Sequence, residues 1–321
     1  MLIVTNFRSF PLSWTASSGE TGQSAAATSY RDFVRYRNRP DAVYLVNCHA
    51  RLTFQLAAAA LLPGPHPPLI SVDLILRRPA GLLARLSVSV KRFLLSHVDR
   101  FIHYFRDVRA YREIFGIGED RSSFVPFKSN LSDRHRIGPL EEGEYVLCFG
   151  RSLRDFDTFF AAMDTLPFPG AIARPDPEEL RRHSARFSRS LDALPKNVRV
   201  LEDDGSEDAQ LRILGDAKLV VLPILRSSIV ASGISTCLNA MMLGKCVIGS
   251  EGPGMTDIFT RGEILAVPPE DPVALREMIA RAWGDQQLRD STAAAGHTYA
   301  LEAGGERELY QRIIDQLVAW Y

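Results

Sequence analysis

Ala231-Ser-Gly-Ile-Ser-Thr-Cys-Leu-Asn-Ala-Met-Met-Leu-Gly-Lys-Cys-Val-Ile-Gly-Ser-Glu-Gly-Pro-Gly-Met-Thr-Asp257 is the stretch on which the fold is decided. It reads as loop, helix, turn and buried strand, then a glycine-rich loop opening another short helix. Ser232, Gly233, Ser235 and Thr236 fall where the helix begins, so unpaired backbone N–H groups, the positive end of the helix dipole and small hydroxyls converge on one spot. Such a spot holds an anion, although small residues before an apolar helix also serve as plain caps. Leu238, Met241 and Met242 supply the helix's buried face and Gly244 ends it. Cys246-Val-Ile248 is a short apolar run suited to the middle of a parallel sheet.

Working backward, Tyr145-Val-Leu-Cys-Phe149 is a second buried strand. It runs into Gly150-Arg151-Ser-Leu-Arg154-Asp-Phe-Asp157, with a helix from Asp157 to about Leu166. Gly150 permits a tight turn there, and Arg151 and Arg154 at the strand's carboxyl edge are both candidates to reach a phosphate. Gly170–Ala173, Val198–Leu201 and Leu219–Leu222 are further strands. Ile264–Val267 follows the stretch quoted above, then helices over 271–284, 286–296 and about 304–320. Strand and helix alternate as in βαβ units.

The first part of the chain shows the same alternation. Leu2–Thr5 is a strand, followed by about two dozen polar residues read as a long loop. Ala42–Asn47 is a strand leading to Cys48-His49-Ala50 and a helix over Leu52–Leu62. Leu69–Asp73 closes on Asp73, with Arg77 and Arg78 beyond it. Residues 79–97 have helical period, with Leu82, Leu83, Leu86, Val90 and Leu94 as the apolar stripe and Arg85, Lys91 and Arg92 among the polar positions. A basic amphipathic helix lies on an anionic membrane or packs on a sheet with a solvated face, and packing is the favoured reading. Phe101–Tyr104 and Ser123–Pro126 are strands, and Asp107 marks a helix start. The breaker-rich run 128–143 that follows is an interdomain linker, bounded at residues 131–143.

Composition agrees with two ordinary globular domains: 321 residues, 46% hydrophobic and 24% charged, at about 150 residues per domain. Residues 1–138 carry 19 Lys/Arg against 10 Asp/Glu, whereas 139–321 carry 19 against 28, so the two parts differ in sign. Cys48, Cys148, Cys237 and Cys246 have no metal-ligand spacing and read as small buried core residues of a reduced protein. No run reaches the roughly 18–20 apolar residues of a membrane span, and the apolar start is too short for a signal peptide. A cytoplasmic protein, at most peripheral at the inner face of the membrane, is expected. Basic residues without interleaved exposed aromatics or a known motif argue against nucleic acid.

Gly150-Arg151 after a strand, Ser232-Gly-Ile-Ser-Thr with Asn-Ala-Met-Met-Leu-Gly-Lys-Cys-Val-Ile248, and Gly252-Pro-Gly-Met-Thr-Asp257 resemble the second half of GT-B glycosyltransferases of the retaining group 1, family 4-like type. The resemblance is specific over about 145–260 and architectural over 1–130. It implies an α/β fold of two Rossmann-like domains facing across a cleft. An acceptor domain would cover 1–130 and a donor domain 144–303, and a C-terminal helix, 304–321, would pack back on the first domain. It further implies transfer of a hexose-type unit from a nucleoside-diphosphate sugar to a glycan, glycolipid or small-molecule hydroxyl in polysaccharide or glycoconjugate assembly, with no metal or other cofactor. By position, Gly150, Arg151 and Arg154 would hold the donor diphosphate, with Ser232, Gly233, Ser235, Thr236 and Asn239 lining the site. The family's two glutamates fall at Ala231 and Asn239, and its lysine a turn after Gly-Arg is absent unless Arg154 replaces it. Retention by same-face attack also belongs to the resemblance. His49 and Asp73, each just past an apolar strand, are candidates to position or deprotonate the acceptor. A nucleotide-sugar 2-epimerase would want more carboxylates than residues 1–130 supply, and a non-catalytic nucleotide-sugar sensor or partner subunit is the other reading that Ala231 and Asn239 leave open.

Overall fold

A computed structural model describes residues 1–79, 81–131 and 143–321; the expected linker, residues 131–143, lies almost wholly outside them. The described chain divides into two compact units, Met1–Pro126 with Arg307–Tyr321, and Phe127–Glu306. Each is a Rossmann-like α/β layer built on a parallel sheet.

In the first unit the elements run β1 Leu2–Thr5, β2 Ser13–Thr15, β3 Thr21–Ala26, α1 Tyr30–Val34, β4 Ala42–Asn47, α2 Ala50–Ala59, β5 Leu69–Val72, α3 Leu82–Leu95, β6 Arg100–His103, α4 Arg109–Phe115 and β7 Ser122–Phe124. The sheet order is β2-β3-β1-β4-β5-β6-β7, with only β2 antiparallel to its neighbour. The polar run after β1 is therefore a strand pair and not the long loop expected. β3, Thr-Gly-Gln-Ser-Ala-Ala, has almost no apolar side chain, yet it pairs with β1 in parallel and fills the ladder that β1 would otherwise leave open. Gly22 is needed there because the Trp14 indole from β2 occupies the place of its Cβ, while Trp14 Nε1 donates to the Gln23 carbonyl at 3.1 Å. The central strands are apolar on both faces, as the middle of a parallel sheet requires: every residue of β5, and all of β4 but Asn47, is buried.

α3 departs from expectation in orientation. Leu82, Leu86 and Val90 from the predicted packing stripe are exposed, together with Phe93, and Leu95 is the residue fully buried. The side chain of Leu83 lies outside the described residues. Leu82, Leu86 and Val90 of the stripe that periodicity assigns to the sheet point into solvent, whereas Leu94 is half-buried.

The second unit comprises β8 Tyr145–Cys148, α5 Phe156–Met163, β9 Gly170–Ala173, α6 Pro177–Arg182, β10 Val198–Leu201, α7 Glu207–Gly215, β11 Ala217–Leu222, α8 Ile234–Met242, β12 Cys246–Ser250, β13 Leu265–Val267, α9 Pro272–Gly284 and α10 Gln286–Ala303. Its all-parallel sheet has the order β10-β9-β8-β11-β12-β13, the 3-2-1-4-5-6 order of a dinucleotide-binding Rossmann sheet. Val146, Phe159, Phe160, Met163, Leu219, Val221 and Ile248 form its core with Leu275 and Ile279 of α9. Side chains cap most of the helices: Asp155 for α5, Ser206 for α7, Asp271 for α9 and Asp285 for α10. α10 runs through Gly296, where the sequence suggested a stop. A Cβ at Gly296 would lie 2.9 Å from Met241 Cγ, so glycine here admits α8 and does not end α10. The Gly252-Pro-Gly loop forms successive turns and opens no helix; Asp257 Oδ1 accepts from the Gly254 N–H at 2.7 Å.

α11, Glu306–Val318, belongs with the first unit. Tyr310 packs edge-on to Phe7 at 5.3 Å between ring centroids and against Phe10 at 5.0 Å. Asp315 accepts from the Ser17 N–H and hydroxyl, both at 2.7 Å. Of the four cysteines, Cys148, Cys237 and Cys246 are buried, but Cys48 is exposed, because it follows β4 at the sheet's rim instead of lying within it.

Candidate functional site

In a doubly wound sheet, ligands collect beyond the carboxyl ends of the strands where the strand order reverses. In the second unit that point lies between β8 and β11. The segment leaving β8 is Phe149-Gly150-Arg151-Ser152-Leu153-Arg154, and backbone hydrogen bonds pin it to two other stretches of the chain. Leu153 N–H donates to the His183 carbonyl at 3.0 Å and accepts at its own carbonyl from Leu225 N–H at 2.9 Å, while Asp155 N–H reaches the Pro223 carbonyl at 2.8 Å. Gly150 has φ +100° and Leu153 has φ +51°, a left-handed conformation that a leucine adopts only under constraint.

Two such turns in five residues drive Arg154 inward. It is 1% exposed, and its Nε and Nη1 have no hydrogen-bond partner. The guanidinium lies against Gly150, where a Cβ would collide with Nη2, and against Gly233, where a Cβ would stand 2.9 Å from Nη2 and 3.1 Å from Nη1. Burial pulls its pKa below the ordinary guanidinium value; the neighbouring thiols of Cys148 and Cys237 act weakly in the opposite direction. A buried, unpaired cation costs several kcal/mol relative to one that is paired or solvated.

Gly233 is also the N-cap of α8, with φ +84° and no side-chain cap. The first N–H groups of a nine-residue helix thus open beside the Arg154 guanidinium. The partial positive charge of the α8 N-terminus and the full charge of Arg154 meet at the switch point. An anion with several oxygens fits there, and a diphosphate is the common one.

The remaining expected donor residues divide. Ser232 is buried and its hydroxyl pairs with that of Ser228 at 3.1 Å, so it shapes the loop. Ser235 accepts from Asn130 Nδ2 at 2.7 Å, and Thr236 is half-buried on the same turn. Asn239 is buried, and its Oδ1 accepts from the Asn130 N–H at 3.0 Å and the Ser129 hydroxyl at 3.5 Å. That oxygen therefore anchors the Ser129-Asn130 segment. Arg151 is exposed and turned to Glu179, with Nη1 3.3 Å from Oε2, so the two arginines that looked alike in sequence are held differently. Ala231 packs directly on Gly254, which joins the loop before α8 to the Gly-Pro-Gly turn. Asn130 was not foreseen; only its place in a breaker-rich run spoke for it, and nothing local tied it to a helix 100 residues on.

In the first unit the corresponding rim is formed by the ends of β1, β4, β5 and β6. Asn6 and Asn47 bridge β1 to β4, Nδ2 to carbonyl at 2.9 Å and N–H to Oδ1 at 2.6 Å. Cys48 and Asp73 follow β4 and β5 with φ +50° and +46°, two adjacent strand ends in the same left-handed state. Burial raises the Asp73 carboxyl to about 6. Tyr111 holds the segment beyond it, its hydroxyl donating to the Leu74 carbonyl at 2.5 Å and accepting from Leu76 N–H at 3.1 Å. His49 is exposed and caps α2, Nδ1 accepting from Leu52 N–H at 3.2 Å; in that tautomer the proton sits on Nε2. His49 and Asp73 thus share one rim, His49 with a structural task already assigned.

No family model matches this sequence, and no curated protein is similar to it in sequence. Solved structures are similar in fold. The sucrose-phosphate synthase of Thermosynechococcus elongatus aligns with a TM-score of 0.66 over all of this chain and 89% of its own, at 16% identity. HepE of Anabaena, solved with UDP and glucose, gives 0.67 over 86% of this chain and 78% of its own, at 13% identity. A glycosyltransferase of Rickettsia africae gives 0.64 over 91% and 83%, at 12% identity. The chain has the mixed α/β fold with two parallel-sheet Rossmann-like domains of these GT-B glycosyltransferases.

Proposed function

We propose that this chain is a glycosyltransferase of the hexosyltransferase type, moving a sugar from a nucleoside-diphosphate sugar to a hydroxyl acceptor. The observation that carries the reading is Arg154, a buried guanidinium with two unpartnered nitrogens beside the uncapped start of α8 at the Rossmann switch point. HepE, a neighbour in fold, is a protein solved with UDP, with UDP and glucose, and with UDP-glucose, which makes UDP-glucose the first donor to try.

As the bond from the anomeric carbon to the donor phosphate breaks, negative charge builds on the departing diphosphate. Arg154 and the α8 N–H groups are already in position, Arg154 already out of water, so they stabilise that charge with little reorganising. Gly150 and Gly233 leave room for the Arg154 guanidinium that faces the diphosphate, with Ser235, Thr236 and Arg151 at its edge. The acceptor oxygen forms the new bond and its proton passes to a base. Asp73, raised to about 6, suits that role better than His49; with retention, the departing phosphate takes the proton. A glycan, glycolipid or small-molecule acceptor, and a place in polysaccharide or glycoconjugate assembly, complete the reading.

Asn239 supports a second reading, a non-catalytic sensor of nucleotide-sugars, because its amide oxygen is engaged by Asn130 where the family's carboxylate would hold the ribose. Thermal shift with UDP, GDP, ADP and dTDP and their sugars tests the donor site. One nucleotide is expected to stabilise the protein by roughly 2.7 kcal/mol at a hundred times its Kd, and Arg154→Met is expected to abolish the shift. No shift with any of them would remove the donor site from consideration. A shift without sugar transfer or donor hydrolysis would favour the sensor.

A further inference from the structure

We propose that α3 docks the first unit on an anionic lipid surface. Leu82, Leu86, Val90 and Phe93 are 79%, 72%, 61% and 57% exposed, and at 100° per residue they fall within one narrow sector of the helix. Contiguous exposed apolar side chains of this size are costly in water and mark a surface that something covers. Ile75, just ahead of the helix, is exposed as well.

Charge identifies the cover. Residues 74–98 contain Arg77, Arg78, Arg85, Lys91 and Arg92 and no Asp or Glu. Arg85 and Arg92 follow one another along one flank of the apolar sector, and Arg77 and Arg78 precede it, all exposed. A second copy of the chain, set face to face on the same helix, would oppose five cations with five. An anionic bilayer accepts both features at once, the leucines and phenylalanine below the headgroups and the guanidinium groups among the phosphates. Among the described residues no helix is long and apolar enough to cross a membrane, so the contact would be made in the plane of the surface. The proposal does not depend on the transfer reaction and is tested without donor or acceptor.

The test is co-sedimentation of the full chain with vesicles of phosphatidylcholine alone and with about 30% phosphatidylglycerol, at low and at high salt. At least tenfold more protein is expected to pellet with the anionic vesicles, and most of that excess is expected to be lost at high salt. The Leu86→Asp, Phe93→Asp double variant, altered only at exposed positions, should melt like the parent and lose the binding. Arg78→Glu with Arg85→Glu, which leaves the apolar stripe intact, should lose the preference for anionic vesicles. Failure of the parent chain to pellet with anionic vesicles overturns the proposal, as does undiminished pelleting of the Leu86→Asp, Phe93→Asp protein. A dimer seen by light scattering that the same double variant dissociates, without vesicle binding, would assign the face to a second copy.

Discussion

Arg154 joins two properties that pull in opposite directions: without ligand it is a buried charge lacking partners, and with a diphosphate it is a ready counter-charge. Replacing it by methionine, of similar length and no charge, should therefore raise the stability of the unliganded protein by about 1–3 kcal/mol in urea unfolding. The same change should lower turnover with the donor at least about a hundredfold, the effect of losing one pre-placed electrostatic contact. Arg151→Ala, at an exposed ion pair with Glu179, should alter stability by less than about 1 kcal/mol. Asp73 provides a second test. Its folded-state value, about 6, lies above the ordinary 3.8, so it favours folding fully below about 4 and that contribution is lost as pH rises through about 6. Asp73→Asn keeps a residue that tolerates a left-handed backbone. The variant should melt higher than the parent at pH 7.5 and level with it at pH 4, and should transfer sugar more slowly if the carboxylate takes the acceptor proton. Both arginines stood out in the sequence as phosphate candidates. Which of them turns inward depends on the left-handed turn at Leu153, and no propensity of leucine announces that conformation.

At the scale of elements, the start of α8 was legible because its small residues, apolar face and closing glycine agree with one another. Gly233 there meets two demands, a positive φ and the closeness of the Arg154 guanidinium. Gly233→Ala should cost about 1–3 kcal/mol of stability and weaken nucleotide binding in the same thermal-shift assay. Two elements were read wrongly for physical reasons. β3 escapes recognition because it carries almost no apolar side chain, and its pairing with β1 and β2 comes from backbone groups that every sequence carries. α3 was recognised as a helix but turned the wrong way round. Periodicity reports that a helix has two faces and is silent on which faces inward. Leu95 and the half-buried Val88 on the opposite side settle the orientation once the helix is packed beside α2 and α4.

At the scale of the whole molecule, alternation of strands and helices is enough to give two Rossmann-like sheets, but their strand orders come from pairings that no local pattern encodes. The position of α11 is a case of that kind. Its side chains Leu309, Tyr310, Ile313, Ile314 and Leu317 are buried, with Tyr310 against Phe7 and Phe10. Removing residues 306–321 should expose the aromatic pair and lower the melting temperature of the first unit, seen as early proteolysis within residues 1–126 while the second unit stays protected. The first unit is thus made of two pieces of chain with all of Phe127–Glu306 between them. During synthesis its sheet is complete long before its last helix exists. At about 5–20 residues per second a ribosome needs roughly ten to forty seconds to cross the intervening stretch. For that interval Phe7 and Phe10 wait without Tyr310, and a nascent first unit that lacks its last helix is the form that chaperones and proteases meet first.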